Sequence, residues 1–232
     1  MELTEALRTT GAVREFTDQA VDDVVLARVL DTARFAPSGS NAQAWRVVVV
    51  KDAAKRRQLR DSYLRGSRDY LALAAAGLRP WSPTNDRNAE DRALATENVA
   101  VPGGFAERFD ETPVLLAVFA DLSMLAAIDR DADRYTFAGG ASIYPFARNI
   151  LLSARDEGLG GVITTIAIRE EAQVKAVLRA ADPLALAAIV ALGYPVRQPR
   201  RLRREPVSSF VTVDSIDGPA FGVLDPAGMW QE

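Results

Sequence analysis

The stretch from Arg34 to Lys51, RFAPSGSNAQAWRVVVVK, sets a polar turn between a helical pattern and a β-branched run. Ahead of it, Asp22 to Ala36 (DDVVLARVLDTARFA) carries Val25, Val29, Thr32, Ala33 and Ala36 at helical spacing. Asp22 and Asp23 fall in the first turn, where the helix dipole favours acids. Behind it, the continuous run from Arg46 to Lys51 suits a strand buried on both faces. Pro37, Gly39 and Asn41 are turn formers, and a helix-to-strand connection needs them. Ser38, Ser40, Asn41 and Gln43 equally offer hydroxyls and amides to a ligand. Taken alone, the block favours the turn, and both readings stay open.

Outward from this block, helical and strand patterns alternate. Leu3 to Arg8 is a short amphipathic start with Thr4 as candidate N-cap, and Asp52 to Leu64 is helical again. Pro113 to Asp121 (PVLLAVFAD) reads as a second buried strand. Phe137 to Glu157 predicts a helix with Ile143, Phe146, Ala147, Ile150, Leu151 and Ala154 on one side; Pro145 either kinks it or marks its start. Gly158-Leu159-Gly160-Gly161 follows a helix and precedes a strand, the reverse of a dinucleotide fingerprint, so a helix-ending turn is the stronger expectation. A strand at Val162 to Ile166, a helix at Arg169 to Arg179, a strand at Leu186 to Tyr194 and a β-like piece at 210–214 complete the pattern. Such alternation predicts an α/β or α+β sandwich of helices around a mixed sheet, one domain over 1–232. Residues 65–110, with Tyr70, Trp81 and Phe105, form a long insertion suited to a lid. The apolar tail, including Phe210, Val211, Phe221, Val223, Leu224 and Trp230, calls for cover by a second subunit.

Composition excludes a good deal. Among 232 residues there is no cysteine and no histidine, which removes thiolate nucleophiles, disulfides, the usual zinc sites and every imidazole-based triad. Any chemistry must come from carboxylates, hydroxyls, Arg, Lys, backbone groups or a cofactor. Apolar residues at 48% and charged residues at 25% fit an ordinary globular chain. No apolar run is long enough for a membrane helix and the start lacks a signal pattern, so the expected location is the cytoplasm, with no membrane partner. A net charge of -3 gives no support to nucleic-acid binding.

Of 28 basic residues only Lys51, Lys55 and Lys175 are lysine, leaving many fixed cationic forks. Arg200, Arg201, Arg203 and Arg204 crowd into one short turn, which is either a solvated surface or an anion clamp. Arg14 lies on a separate early turn. Walker-type loops are absent.

The ordered set AVREF (12–16), RFAPSGSNAQAWRVVVV (34–50), EGLGG before VITT (157–165) and LALAAIVALGYP (184–195) ahead of a basic turn resembles the FMN-dependent nitroreductase family, its actinobacterial members especially. The likeness covers nearly the whole chain apart from 65–110 and the extreme tail. It implies an α+β fold with a mixed β-sheet flanked by helices, assembled as an intertwined homodimer whose C-terminal arm, 206–232, packs on the partner. It implies FMN at the subunit interface, with NADPH or NADH as electron donor. The implied activity is ping-pong hydride transfer through the flavin to a nitroaromatic or quinone-like acceptor. The same family resemblance also covers reductive dehalogenation, flavin fragmentation and oxidase-type chemistry, and a non-catalytic flavin-binding protein is a further alternative.

Position by position, the resemblance implies that Arg14 reaches the phosphate-ribityl side, with Thr10 contributing a hydroxyl. Pro37, Ser38, Gly39, Ser40 and Asn41 match the loop laid against the ring of the other subunit's flavin, with Gln43 just beyond. Arg108 matches a basic residue at the pyrimidine edge, Thr164, Thr165 and Ile166 fall where backbone amides approach the hydride-accepting nitrogen, and Arg203 and Arg204 fit the phosphate-holding turn. Tyr70, Trp81 and Phe105 are substrate or lid candidates. No side chain is implied to act as acid, base or nucleophile, and no metal is implied. This chain departs from the family pattern at Thr10-Gly11-Ala12-Val13-Arg14, which has one arginine fewer, and at Gln43-Ala44-Trp45 in place of Gln-Pro-Trp.

Overall fold

The computed structural model describes residues 1–96, 99, 101, 104–134 and 137–222. These separate into two compact units, 1–199 and 200–232. The first unit holds helices α1 (Leu3–Thr9), α2 (Asp23–Ala33), α3 (Ala53–Ala75), α4 (Arg87–Leu94), α5 (Tyr144–Asp156) and α6 (Glu171–Leu178). Its strands are β1 (Trp45–Val49), β2 (Val114–Asp121), β3 (Gly160–Thr164) and β4 (Leu184–Gly193).

The sheet runs in the order β1-β2-β4-β3, every neighbouring pair antiparallel. Its mixed character is confined to an isolated parallel bridge between Ala12 and Gly161. β2 explains its own unbroken apolar sequence. Leu116, Val118 and Ala120 join the layer formed with α2 and α5, while Leu115, Ala117 and Phe119 join the opposite layer of α3 and α6. With helices on both faces, a period of two no longer separates apolar from polar. The ladder skips Ala187 opposite Val118 and Phe119, and the Ala187 carbonyl accepts the Tyr144 hydroxyl at 3.2 Å. β1 departs from its expected burial on both faces: it is the edge strand, with Arg46 and Val49 exposed.

Local chemistry accounts for most boundaries. Asp22, Asp52 and Asp86 cap α2, α3 and α4, each carboxylate accepting a backbone N–H at 2.8 Å. On α2 the buried face is Leu26, Val29 and Ala33, with Val25 only half-buried. Thr4 is not the N-cap of α1; Glu2 holds that position without a side-chain bond. The helix expected from Phe137 begins only at Tyr144, because Pro145 sits in its first turn, where a missing N–H costs nothing. A separate 3-10 turn, Gly139–Ser142, precedes it. α3 runs far past Leu64, to Ala75, so much of the expected 65–110 loop is helical, and Pro102 and Gly103 of that segment lie outside the described residues.

The glycine group 158–161 divides its duties. Gly158 has φ of +80°, and the Leu159 and Gly158 N–H groups return to the carbonyls of Ala154 and Arg155, closing α5 in a Schellman turn. Gly160 and Gly161 instead begin β3, where there is no room for side chains. A Cβ on Gly161 would stand 2.5 Å from both the Ala191 carbonyl oxygen and Leu192 Cδ2.

The second unit, taken by itself, contains a small hairpin with one antiparallel bridge, Thr212 to Ala220, and a Phe221 N–H to Val211 carbonyl bond of 2.8 Å. Val223, Leu224 and Trp230 of the expected arm lie outside the described residues. Among the described residues no helix is long and apolar enough to cross a membrane.

Gly161→Ala should lower the unfolding free energy by about 1–3 kcal/mol, the usual cost of overpacking. A urea titration followed by circular dichroism checks this, and a midpoint equal to wild type would contradict the close approach.

Candidate functional site

Two backbone bridges aim Arg14 outward. On one side Val13, buried at the core edge, donates its N–H to the Gly161 carbonyl at 2.9 Å; on the other Phe16 bridges Pro195. Between these anchors Arg14 and Glu15 are exposed. Opposite them, Arg108 opens the 3-10 turn Phe109–Glu111, whose Phe109 is fully buried.

A cavity of about 210 Å³ lies between the two walls. Arg14, Glu15, Phe16, Thr17 and Asp18 line one side, Phe105, Arg108, Glu111, Thr112 and Pro113 the other, with Val196 between. Three residues marked out by sequence, Arg14, Phe105 and Arg108, therefore converge. Neither guanidinium forms an ion pair with another described residue. Two forks without a described ion-pair partner can receive a phosphate or carboxylate, in a lining that also holds the carboxylates of Glu15, Asp18 and Glu111.

The floor beneath Phe105 is aromatic. Tyr63 stacks parallel on Phe109 at 4.3 Å between centroids, and Phe105 meets both rings edge-on at 5.8 and 5.4 Å. The Tyr63 hydroxyl accepts from Thr164 Oγ1 at 3.5 Å, linking the cavity floor to the end of β3. Burial raises the Tyr63 pKa above the ordinary 10.0, against the opposing pull of the Thr164 bond and the Arg14 charge. Thr164 is buried, Thr165 exposed and Ile166 half-buried, and Thr165 has no side-chain cap on the turn that follows.

Arg56 was not legible as part of this region. Its guanidinium donates to the carbonyls of Asp110, at 2.8 Å, Val50, at 3.1 Å, and Thr112, so α3 grips the turn that carries Glu111 and Thr112. Burial lowers its pKa. Tyr63 was missed as well; the only signal was its spacing of three and seven residues from Gly66 and Tyr70 on one helix face.

The remaining candidates of the first unit lie elsewhere. Thr10 is buried with its Oγ1 unpartnered, and its carbonyl accepts from Arg148 at 3.4 Å. Tyr70 and Trp81 meet at 6.0 Å with the Arg169 guanidinium 5.5 Å from the indole, away from Phe105. Arg203 and Arg204 belong to the second unit, where both are exposed and Arg204 donates to the Arg203 carbonyl.

Residues 37–43 are not in the cavity wall. Ser40, Asn41 and Gln43 all adopt positive φ, between 50° and 53°, in a loop held by Gln43 N–H to Ser38 Oγ at 3.0 Å and Gly39 N–H to Ser142 Oγ at 2.9 Å. Pro37, Gly39, Ser40, Asn41 and Gln43 are exposed. The loop feeds β1, one edge of the sheet, while Thr164 ends β3, the other edge. Three interstrand spacings separate those edges, about 14 Å. One chain thus keeps the polar loop and the Thr164 segment apart.

A spectroscopic titration tests the burial of Tyr63. Its phenol is neutral in both folded and unfolded chains below pH 10, and its raised folded pKa makes stability fall as pH climbs from 10 towards that folded value. Absorbance near 295 nm should show a late ionisation step that vanishes in Tyr63→Phe.

Residues 7–194 match the Nitroreductase family. A protein named NADH dehydrogenase from Thermus thermophilus is 29% identical over 200 residues, covering 86% of this chain and 90% of that one. A 5,6-dimethylbenzimidazole synthase from Rhodospirillum rubrum is 29% identical over 189 residues, 79% of this chain and 77% of its own length. Among solved structures, an NADPH:FMN oxidoreductase from Vibrio harveyi complexed with NAD+ superposes with a TM-score of 0.62 at 20% identity, over 91% of this chain and 76% of that one. At that identity the superposition speaks for the α+β fold, and the match over 7–194 carries the rest: the chain belongs to the Nitroreductase family.

Proposed function

We propose that this chain is an FMN-dependent oxidoreductase that takes electrons from NADH or NADPH and passes them to a flat, electron-poor acceptor such as a nitroaromatic or a quinone. The observation that carries the proposal is the convergence of two unpaired guanidiniums, Arg14 and Arg108, on one cavity above an aromatic floor. Bound there, FMN would supply the hydride-accepting and hydride-donating chemistry of a ping-pong scheme between the nicotinamide donor and the acceptor.

The residues present suit such a group. Arg14 offers a fixed cationic fork to the phosphate-ribityl end, and Arg108 offers positive charge where negative charge collects on a reduced ring. Thr165 and Ile166 open a helical turn, whose first N–H groups have no partner within the turn and are free to donate. Phe105 gives a flat ligand an apolar contact. The chain need not provide an acid or base of its own, in keeping with a sequence lacking His and Cys.

The same reading assigns the loop Pro37 to Asn41, with Gln43, to the flavin of a second copy. Two observations support a homodimer. The loop and the Thr164 segment occupy opposite sheet edges, so a complete site takes one from each chain. The loop also adjoins exposed apolar surface. A Cβ built on Gly39 would stand 3.6 Å from Ala126 and one on Gly139 3.3 Å from Leu125, and in the flanking sequence Leu122, Met124, Ile128 at 90% and Phe137 at 87% exposure face outward. A patch of that kind on a folded chain calls for a partner.

Purified protein incubated with FMN should keep a yellow flavin spectrum after desalting, bleach on adding NADH or NADPH, and recover on adding a nitroaromatic or quinone. A protein that stays colourless sinks the proposal, and flavin that binds without bleaching points to a non-catalytic binder. Arg14→Ala should weaken FMN binding by roughly ten- to a hundredfold, the equivalent of a charge-assisted bond of about 1.5–3 kcal/mol, with the urea midpoint unchanged. Sedimentation should give a dimer, and Asn41→Ala should alter the flavin spectrum while lowering stability by no more than about 1–2 kcal/mol, the cost of alanine at positive φ.

A further inference from the structure

Helix α3 lies along the segment that follows β3 and meets it at several points. Tyr63 touches Thr164 through the 3.5 Å hydrogen bond. One turn on, a Cβ on Gly66 would stand 2.7 Å from Ile166 Cγ2 and 2.8 Å from the Ile166 carbonyl oxygen, so the helix backbone presses directly on residue 166. Beyond that, Arg65 pairs with Glu170 at 2.8 Å, and Tyr70 reaches Trp81, over which Arg169 is stacked.

We propose that Tyr63 and Gly66 are positioning residues: through them α3 sets the height of the backbone from Thr164 to Ile166. This rests on the flavin reading above, in which that backbone faces the reacting edge of the cofactor. Gly66 has no local justification. In a helix interior alanine is the better helix former, and no turn or positive φ is present at 66. What excludes a side chain there is a carbonyl oxygen, which cannot rotate aside as the end of a flexible side chain can. Thr164 is the last residue of β3, paired with Ile189, and Ile166 begins the next turn, so the sheet fixes one end of the three-residue span and α3 the other. A shift of a few tenths of an ångström at Ile166 therefore has nowhere to go except into Thr165 and its N–H.

The test uses the full chain in three variants: Gly66→Ala, Tyr63→Phe, and Arg68→Ala, an exposed change on the same helix, as control. Hydrogen exchange of flavin-free protein, read by mass spectrometry, reports the Ile168 N–H that bonds the Thr165 carbonyl at 3.0 Å. It should quicken about tenfold in Gly66→Ala and about threefold in Tyr63→Phe, and not in the control. With FMN bound, bleaching at saturating nucleotide should slow by roughly ten- to a hundredfold in Gly66→Ala, the usual effect of a small misplacement, with KM within about twofold. Unaltered Ile168 exchange in Gly66→Ala, or quickened exchange with unaltered bleaching, overturns the positioning role. Should Gly66→Ala fail to fold, Tyr63→Phe decides alone, since it removes one oxygen from an intact core: wild-type exchange and bleaching overturn the proposal. A wild-type protein that never takes up FMN counts against the flavin reading, and the exchange measurement still judges the contact.

Discussion

Everything in the first unit is organised around the burial of β2 and β4 on both faces. Leu115, Leu116, Ala117, Val118 and Phe119 are fully buried, as are Ile189, Val190, Ala191 and Leu192. At about 25 cal/mol per Å² of apolar surface removed from water, burying these side chains is a large favourable contribution to the fold. The consequence for function is negative before it is positive. No ligand can sit on either face of the sheet, because helices occupy both. Binding surface remains only at strand ends and at the edges, where the N-terminal turn crosses Gly161, the polar loop enters β1 and the Thr164 turn leaves β3.

α3 converts that core into a site. Its buried face joins the layer under β2 and β4 through Leu59 and Tyr63, while its polar groups reach past the core to the cavity wall. The Arg56 guanidinium satisfies three carbonyls that no strand or helix pairs, a charged donor to buried acceptors that would be costly to leave unmade. The cavity wall is therefore not a free loop. It is tied to the same helix that Ile166 rests against, so the two sides of the region share one rigid support.

Much of this was legible in the sequence, for identifiable reasons. The strands β2 and β4 are continuous apolar runs, α2 has an acidic cap and helical spacing, and the blocks around 34–50 and 157–165 hold enough motif to place the chain in its family. What stayed hidden depends on tertiary contact. The length of α3 was obscured because Gly66 and Ser67 look like breakers until the neighbour that requires a bare backbone is seen. Gly160 and Gly161 looked like the end of a helix although they are strand residues pressed against Val13 and Ala191. Nothing in the sequence distinguishes Arg56 from its neighbours Arg57 and Arg60. The edge position of β1 cannot be read from its own sequence at all, since Val47 to Val50 would look the same in the middle of a sheet.

The loop from Ser38 to Gln43 holds three non-glycine residues at positive φ. A turn that only had to join α2 to β1 could place glycine at each left-handed position, and the chain does have a glycine at 39. The positive φ values fall instead on Ser40, Asn41 and Gln43. Asparagine tolerates that conformation, but together the three cost roughly 1–2 kcal/mol per strained residue. The internal bonds from Ser38 and Ser142 use the N–H groups at 39 and 43, the Gln43 amide donates to Asn41 Oδ1 at 3.3 Å, and the Ser40 side chain stays exposed. The scaffold holds that strain in place, and the Gln43 amide spans two of the strained residues by donating to Asn41. Turn geometry explains the path of the chain, and it leaves unexplained the choice of residues that travel it.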